Sequence, residues 1–426
     1  MIEKTFLHPE LAANFSPEVQ KIFEIFLCDK ELGGDEIRLV GGCVRDMLAG
    51  LKIKDFDFAT KFLPEQIIKI LAKNKIHAVP TGIKFGTITA VINHQHFEIT
   101  TLRKDSEQDG RHCEPEFIDN YFFDAARRDF TINALYLDNK GLVYDYFNGI
   151  SDLQNKKVKF IGDARQRIEE DYLRILRFFR FSCRYATELD REGLQACISY
   201  KSGIKKLSAD RVRNEIFKTI DGAENKKLLW IFEELENSRI RAEIFSAELQ
   251  FNNLHKLLNL EEALKIKASE HLKFAVLVFN LNLDLQEIFL RLNFSNHEKK
   301  YFQFLFSKIK HSSTLDYVAL RELLVFEEKN FVRDFYLLEA SQKLEGIEFL
   351  QQSQPRVAEI KKLLTIIDDF IVPNFPISGE DLIARGITGK AIGAALLATK
   401  KLWIESDFKL RQAELLNALS AIKTPT

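Results

Sequence analysis

The chain has 426 residues, and at roughly 100–200 residues per domain this length predicts two to four compact units. Hydrophobic residues make up 46% and charged residues 29%, while glycine and proline number only 19 and 9, so collagen-like, low-complexity and wholly disordered chains are excluded. The formal net charge of −1 excludes a strong global positive field, so any nucleic-acid binding must come from a local basic patch.

Cysteine usage and the N-terminal sequence indicate the cellular compartment. The five cysteines are scattered without a CxxC pair, which argues against a zinc site or a disulfide framework and favours a reducing compartment. No apolar run approaches the roughly 20 residues of a membrane span, and the N-terminus has neither a secretory signal nor an Arg-rich amphipathic presequence. We therefore expect a soluble, cytoplasmic protein with no membrane partner.

Two patterns of hydrophobic residues divide the chain near residue 160. Before it, short β-type runs alternate with turns, whereas after it apolar residues recur at spacings of three and four. This order predicts an α+β fold with a mixed first part and a mostly helical remainder. The proline-bearing segment 371–379 predicts a break that sets off a small C-terminal unit.

The segment LVGGCVRDMLAG predicts a strand, a glycine turn and a short helix. Paired glycines at Gly41 and Gly42 let the backbone approach a ligand, and the following helix start offers unpaired N–H groups to a phosphate. Arg45, in the first helical turn, adds a charged fork. A plain strand–turn–helix connection is the alternative, and the glycine pair alone favours it.

The segment KDFDFAT carries two carboxylates with strand spacing. Asp55 and Asp57 are expected on one face of the strand, with Phe56 and Phe58 on the other. Mg²⁺ takes one or two carboxylates together with substrate phosphates, and two such ions activate an attacking hydroxyl and steady a leaving pyrophosphate. The spacing after the glycine turn matches the order seen in nucleotidyltransferases of the polymerase-β type.

Further polar residues follow on two predicted strands. Glu98, in HFEITTLR, is a candidate third metal ligand, with an ion pair to Arg103 as the alternative. In RRDFTINAL, Arg127 and Arg128 suit phosphates, Asp129 suits a sugar hydroxyl, and Asn133 provides a polar clasp. Surface charge at a helix end is the alternative for this segment.

The segment RIEEDYLRILRFFRFSCRYA predicts one helix. Glu170, Arg174 and Arg177 fall at i, i+4 and i+7 with Asp171 beside them. One interpretation is a solvated helix face with an i, i+4 pair between Glu170 and Arg174, and the other is base recognition. Cytosine and adenine each present an amino donor beside a ring-nitrogen acceptor, whereas uracil and guanine present the opposite pattern. An accepting Asp171 and a donating Arg174 would therefore select CTP and ATP without a nucleic-acid template.

A local excess of basic residues follows the first part of the chain. Residues 151–215 contain 15 Lys and Arg against 10 Asp and Glu, which marks a candidate RNA path, with a moderately basic helical bundle as the alternative. The candidate RNA contacts are Arg103, Arg111, Arg211 and Arg213.

Taken together, the motifs resemble those of class II tRNA nucleotidyltransferases, the CCA-adding family that includes bacterial poly(A) polymerases. The resemblance is dense over 37–220 and resumes weakly at PISGEDLIARGITGKAIGAAL. The block TGIKFGTITAVI is more similar to the tRNA enzymes than to poly(A) polymerases, although Phe85 stands where many relatives carry His. The remaining blocks are GGCVRD, DFDFAT, FEITTLR, DGRH, RRDFTINAL, EDYLRILR and LSADRVRNEI.

The resemblance implies a polymerase-β-like nucleotidyltransferase head at 1–160, followed by a helical neck at 161–270, a body at 271–370 and a tail at 371–426. It further implies two Mg²⁺ ions, CTP and ATP as substrates, tRNA bound at its acceptor stem and elbow, and no obligate protein partner. The implied site residues are Asp55 and Asp57 for metal and catalysis; Gly41, Gly42 and Arg45 for the triphosphate; Arg128 and Asp129 near the sugar and phosphates; and Asp171 and Arg174 for reading the base, with Glu170 and Arg177 supporting them. Asn133, the polar clasp, is counted with the nucleotide-binding residues.

Narrower activities remain open at this point. The segment 104–117 resembles the flexible loop that enzymes adding only CC lack in part, and its presence favours completion with A. A CC-adding, A-adding or poly(A)-adding transferase is the first alternative. A catalytically silent RNA-binding protein is the second, and the intact pair Asp55 and Asp57 counts against it.

Overall fold

The computed structural model describes residues 4–28, 37–104, 116–279, 284–309, 317–343 and 354–421. The chain divides into two compact units, Met1–Ser246 and Ala247–Thr426. This division falls inside the predicted neck, and the boundaries at 160, 270 and 370 stay predictions.

A mixed sheet organises the first unit. Among the described residues, eight strands pair in the order β1-β10-β9-β2-β3-β6-β5-β4, with β3 and β6 parallel and the other neighbours antiparallel. The strands are β1 (Lys4–Leu7), β2 (Ile37–Val40), β3 (Phe56–Thr60), β4 (His77–Gly82), β5 (Thr87–Ile92), β6 (Gln95–Thr101), β9 (Leu135–Leu137) and β10 (Leu142–Asp145), with β7 (Arg103–Lys104) and β8 (Glu116–Phe117) forming a separate pair.

Side-chain alternation along the sheet separates a core face from a polar end. Phe58 of β3 is fully buried in a cluster that includes Phe97 of β6, whereas Ala59 packs on the opposite face. Asp57 therefore points away from the Phe58 core, as predicted. One detail differs from the prediction, because β3 begins at Phe56 and Asp55 lies in the irregular segment immediately before it.

Helices cover both faces of this sheet. The cluster that contains Phe58 also takes in apolar residues of the second, third and fourth helices, and the opposite face takes in residues of the fifth. These helices are α1 (Pro9–Ala13), α2 (Pro17–Leu27), α3 (Gly42–Leu48), α4 (Pro64–Lys73), α5 (Tyr121–Ala126) and α6 (Gly149–Gln154).

The remainder of the first unit is helical, as predicted, but the expected single helix over RIEEDYLRILRFFRFSCRYA is two helices. The first ends at Glu170, and Asp171 takes an extended conformation with φ −154° and ψ 105°. Its side chain accepts a hydrogen bond from the N–H of Leu173, the first residue of the second helix, so a short polar side chain stabilises the turn between the two helices. The helices are α7 (Ala164–Glu170), α8 (Leu173–Tyr185), α9 (Arg191–Tyr200), α10 (Ala209–Gly222), α11 (Asn225–Asn237) and α12 (Arg241–Ile244).

The described part of the second unit consists of helices. Residues 370–378 are non-helical, which confirms the break predicted at the proline-bearing segment. No helix in the described ranges is long and apolar enough to cross a bilayer. The helices are α13 (Phe251–Leu264), α14 (Glu270–Val278), α15 (Leu285–Leu292), α16 (Asn296–Ile309), α17 (Tyr317–Phe326), α18 (Lys329–Gln342), α19 (Gln354–Asp369), α20 (Gly379–Ile383), α21 (Lys390–Glu405) and α22 (Gln412–Ala421).

A buried ion pair in the second unit makes a stability prediction. Lys273 Nζ lies 3.1 Å from Glu261 Oε2, and the other carboxylate oxygen accepts from the Ala268 N–H. Lys273→Met should lower the free energy of unfolding by about 3–5 kcal/mol in urea denaturation, because it leaves a buried carboxylate without its counter-charge. The double variant Lys273→Met/Glu261→Gln keeps the acceptor and should recover most of the loss. A single variant within about 1 kcal/mol of the wild type would contradict this.

Candidate active site

The glycine turn after β2 admits a close approach by Arg128. Gly41 has φ +75°, a conformation that favours glycine, and α3 begins at the next residue. Nη1 of Arg128 lies 3.1 Å from the position that a Cβ would occupy at residue 41. The turn therefore brings a guanidinium group directly against the backbone that the sequence marked for phosphate binding.

Carboxylates gather beside this turn. Asp57 and Glu98 lie opposite each other in the parallel register of β3 and β6. Burial raises the pKa of Asp57 to about 6, with Glu98 and Asp55 adding to the rise and Arg128 partly opposing it. Three negative charges and one positive charge therefore meet at the start of β3, and the structure places Glu98 beside Asp57.

The carboxylates of Asp55, Asp57 and Glu98 could supply some of the oxygen ligands of a Mg²⁺ ion, but not all of them. Within the described residues, no group of three or more His, Cys, Asp or Glu side chains is placed to hold a metal ion. Mg²⁺ usually takes one or two carboxylates and completes its shell with water and substrate phosphates. Burial is the main cause of the raised pKa of Asp57, and repulsion from Glu98 and Asp55 adds to it; a divalent cation bound here would relieve that repulsion.

Asp124 anchors Arg128 and lies outside every motif that the sequence indicated as functional. Its buried carboxylate binds Arg127 at 2.7 Å and Arg128 at 3.1 Å, and accepts from the Tyr136 hydroxyl at 2.7 Å. It also accepts from the main-chain N–H of Arg103. The spacing of three and four residues from Asp124 to the two arginines, on a short helix, is the signal that predicts such pairs.

Asp129 and Asn133 lie in a buried polar chain. One oxygen of Asp129 accepts from Asn133 Nδ2 at 3.0 Å, and the other accepts from Arg177 Nε at 2.7 Å. Arg177 also lies 4.0 Å from Glu215. The structure thus brings together Asp129 and Arg177, which the sequence placed in separate motifs.

The position of Arg45 differs from the expected one. The side chain is buried rather than open to a triphosphate, and its Nη1 donates to Asn133 Oδ1 at 2.5 Å. Its Nε donates to the neighbouring Asp46, and its guanidinium lies 4.3 Å from the centre of the Tyr185 ring. The expectation of an open phosphate fork at Arg45 is therefore corrected as to accessibility, because Nε, Nη1 and Nη2 each contact a protein partner. Its role in triphosphate binding stays a prediction.

The helix α7 is fastened to the main chain that follows α5. Arg167 donates to the carbonyl oxygens of Arg127 and Arg128, the latter at 2.9 Å. Arg174 donates to the Arg127 carbonyl at 3.2 Å and pairs with Glu170 at 2.6 Å. The predicted i, i+4 pair of Glu170 and Arg174 is confirmed. Arg174 also contacts the segment proposed to bind phosphates, by a hydrogen bond to the main-chain oxygen of Arg127.

Asp171 pairs with Arg211 rather than with Arg174. Its second carboxylate oxygen accepts from Arg211 Nη2 at 2.8 Å, across 40 positions of sequence. Asp171 and Arg174 are thus neighbours in sequence that do not pair with each other: Asp171 pairs with Arg211, and Arg174 pairs with Glu170. Among the other candidate RNA contacts, Arg213 pairs with Asp210 at 3.8 Å, Arg103 lies over the exposed Phe85 ring, and Arg111 lies outside the described residues.

Comparisons with known proteins agree on one family. Residues 37–159 match a family model described as the poly A polymerase head domain. The chain is 34% identical to mouse CCA tRNA nucleotidyltransferase 1, mitochondrial, over 96% of this chain and 91% of the relative. The human protein of the same name is 33% identical over the same shares of both chains.

The chain belongs to the CCA tRNA nucleotidyltransferase family.

Solved structures in this family share the fold. The CCA-adding enzyme of Bacillus stearothermophilus in complex with CTP aligns with a TM-score of 0.74 and 21% identity, covering 96% of this chain and 99% of that one. The Thermotoga maritima enzyme complexed with tRNA aligns with a TM-score of 0.63 and 19% identity, covering 98% and 99%. The predicted α+β head followed by a mostly helical remainder is therefore confirmed.

Proposed function

We propose that this chain adds C, C and A to the 3′ end of tRNA, using CTP and ATP and no nucleic-acid template. The observation that carries the proposal is the meeting of Asp57, Glu98, Arg128 and the Gly41 turn at the start of the central strand β3. The helix that carries Glu170 is fastened to the same arginine segment. The residues that bind the phosphates and the residues that select the base would thus lie next to each other.

In the proposed reaction, the terminal 3′ hydroxyl oxygen of the RNA attacks the α-phosphorus of the bound nucleotide. A new phosphodiester bond forms while the hydroxyl proton passes to solvent, the bond from the α-phosphorus to the oxygen that bridges it to the β-phosphate breaks, and pyrophosphate leaves. Asp55 and Asp57, with Glu98 beside them, would hold Mg²⁺, which supplies Lewis-acid activation of the hydroxyl and charge neutralisation. Arg128 binds the phosphates, and Asp129 accepts from a sugar hydroxyl.

Base choice is assigned to Asp171 and Arg174, the acceptor and the donor that cytosine and adenine require. Arg211 and the Leu173 N–H hold the Asp171 carboxylate. Arg174 uses its guanidinium on Glu170 and on main-chain oxygens, so reading a base requires it to exchange at least one of these bonds. Arg177 and Glu170 support the pair.

The partners follow from the same reaction. We infer that tRNA binds through its acceptor stem at the first unit and through its elbow at the C-terminal tail. A cytoplasmic location stays a proposal, since the mouse and human relatives carry the word mitochondrial in their names.

Product analysis tests the proposal. A tRNA that lacks CCA should gain C, C and A when CTP and ATP are present, a tRNA that ends in CC should gain one A, and an unrelated RNA should gain nothing. Addition that stops at CC, addition of A alone, or long A tracts on the unrelated RNA would replace the proposal with the corresponding narrower transferase.

Asp171→Asn tests the base-reading assignment. The amide removes a charged acceptor, so we expect discrimination of CTP over UTP to fall about tenfold to a hundredfold, the value of a hydrogen bond to a charged group. Competition between the two nucleotides for one tRNA end measures it. The neighbouring exposed Glu169 provides the control Glu169→Gln, which should keep the wild-type preference. Unchanged selectivity in Asp171→Asn would remove the assignment.

A further inference from the structure

Arg45 begins a buried polar chain that ends at the carboxylate assigned to the sugar. The residue is 5% exposed, and its guanidinium binds Asp46 on one side and Asn133 on the other. Tyr185 of α8 donates its hydroxyl to Asp46 and lies beneath the guanidinium. Arg45 is therefore held in one position by contacts from both α3 and α8.

This contact determines which way the Asn133 amide points. Arginine carries N–H donors and no acceptor, so the atom of Asn133 that faces it must be the oxygen Oδ1. The amide nitrogen Nδ2 then faces the opposite direction, where it donates to Asp129 Oδ1 at 3.0 Å. A reversed amide would place two donors together at Arg45 and two acceptors together at Asp129.

The Asp129 carboxylate is fixed by three donors. Oδ1 accepts from Asn133 and from the Phe130 N–H at 2.9 Å, and Oδ2 accepts from Arg177 Nε at 2.7 Å. Burial by itself raises the pKa of Asp129, but Arg177 and Asn133 outweigh it and bring the pKa below its usual range. The group is therefore an ionised acceptor with a set orientation.

We infer that Arg45 is a positioning residue for ribose recognition: through Asn133 it orients Asp129 to accept a hydrogen bond from the sugar 2′-hydroxyl. The inference rests on the proposed function and on the sugar role proposed there for Asp129. A deoxynucleotide lacks the 2′-hydroxyl, so the buried carboxylate oxygen of Asp129 that would accept from it has no donor. An Asp129 that has lost its orientation distinguishes the two sugars less well.

Arg45→Lys tests the inference. Lysine keeps the positive charge, but a single ammonium group lacks the planar fork that reaches Asn133 and Asp46 together while lying on Tyr185. In a competition between CTP and dCTP for the same tRNA end, we expect the preference for CTP to fall at least about tenfold, the scale of one charge-assisted hydrogen bond. Asn133→Ala interrupts the same chain at its next link and should lower the preference in the same direction.

Arg38→Lys is a matched control from the neighbouring strand. Arg38 is also 5% exposed and also stacks on tyrosines, with its guanidinium carbon 3.4 Å from the centre of the Tyr144 ring. Its partners Tyr121, Tyr144 and Tyr146 lie outside the chain from Arg45 to Asp129. Arg38→Lys should therefore destabilise the first unit about as much as Arg45→Lys does, but it should keep the wild-type preference for CTP over dCTP.

The competition ratio reports selectivity even in a poorly folded preparation, because both nucleotides meet the same active molecules. An Arg45→Lys ratio within about twofold of the wild type would overturn the inference, as would an equal fall in Arg38→Lys. A wild type that adds CTP and dCTP equally well would overturn the sugar role while the proposed function stands. A wild type that adds no nucleotide to any tRNA would instead overturn the proposed function.

Discussion

Asp57→Asn should lower nucleotide incorporation by about a thousandfold or more, while the affinity for tRNA stays within about twofold. Asparagine has nearly the shape of aspartate but no charge, so the packing of β3 is kept and one charged oxygen donor of the site is lost. Transition-state charge stabilisation at such a site is worth several kcal/mol, and each factor of ten corresponds to about 1.4 kcal/mol. Asp55→Ala should also abolish incorporation.

Single-turnover addition of CTP to tRNA lacking CCA measures the chemical step, and a gel-shift titration measures tRNA binding separately. Glu65→Gln, at an exposed position in the first turn of α4, removes a carboxylate from the same unit and should leave both quantities unchanged. An Asp57→Asn enzyme with a rate within about tenfold of the wild type would contradict the catalytic assignment. Loss of tRNA binding in parallel would point to misfolding.

Asp124→Asn should destabilise the first unit by about 3–5 kcal/mol, because it leaves two partly buried arginines without their shared counter-charge. The native carboxylate is 1% exposed and serves Arg127, Arg128 and Tyr136 together. An amide offers one acceptor oxygen and places two further N–H donors among groups that already donate. Urea denaturation at neutral pH measures the difference.

The same carboxylate makes a prediction about pH. Burial raises the pKa of Asp124, but Arg128, Arg127 and the Tyr136 hydroxyl outweigh it and lower the pKa from 3.8 to about 2. A carboxyl whose pKa is lower in the folded state stabilises the fold above its unfolded value of 3.8 and loses this contribution as the pH falls toward 2. The stability gap between the wild type and Asp124→Asn should therefore narrow by about 1 kcal/mol from pH 6 to pH 3.

Asp119 supplies the comparison for both measurements. It lies five positions before Asp124 and is exposed, so Asp119→Asn should change the free energy of unfolding by no more than about 0.5 kcal/mol. If the difference in unfolding free energy between the wild type and Asp124→Asn became larger toward low pH, the assigned lowering of the Asp124 pKa would be contradicted. Equal stability of Asp124→Asn and Asp119→Asn would remove the anchoring role.

The features that short-range spacing predicts are present in the structure. Strand alternation predicted that Phe58 enters the core while Asp57 faces away, and helical spacing predicted the pair Glu170–Arg174. The glycine turn, the break near 371–379 and the change to helix after residue 160 also follow from local pattern. Each depends on residues a few positions apart, whose relative placement follows from local backbone geometry. The pair Glu170–Arg174 forms even though Asp171 interrupts the helix between its two members.

Other site features depend on partners that are distant in sequence. The helix break at Asp171 could have been anticipated from its short polar side chain, which competes for nearby main-chain N–H groups, but its pairing with Arg211 could not, because 40 residues separate them. The burial of Arg45 likewise depends on Asn133, 88 positions away, and on Tyr185 of α8. A motif shows that an arginine is present and leaves undecided whether its donors face substrate or protein.

By itself, the amino-acid sequence determined the family, the α+β order of the chain, and the carboxylates and glycines that the proposed chemistry requires. Only the tertiary structure decided which distant groups pair: Arg167 donates to main-chain oxygens of the segment that carries Arg127 and Arg128, Arg177 pairs with Asp129, and Arg45 donates to Asn133. The physical reason is that a buried charge must find its partner in space. Folding, rather than proximity in sequence, brings those partners together.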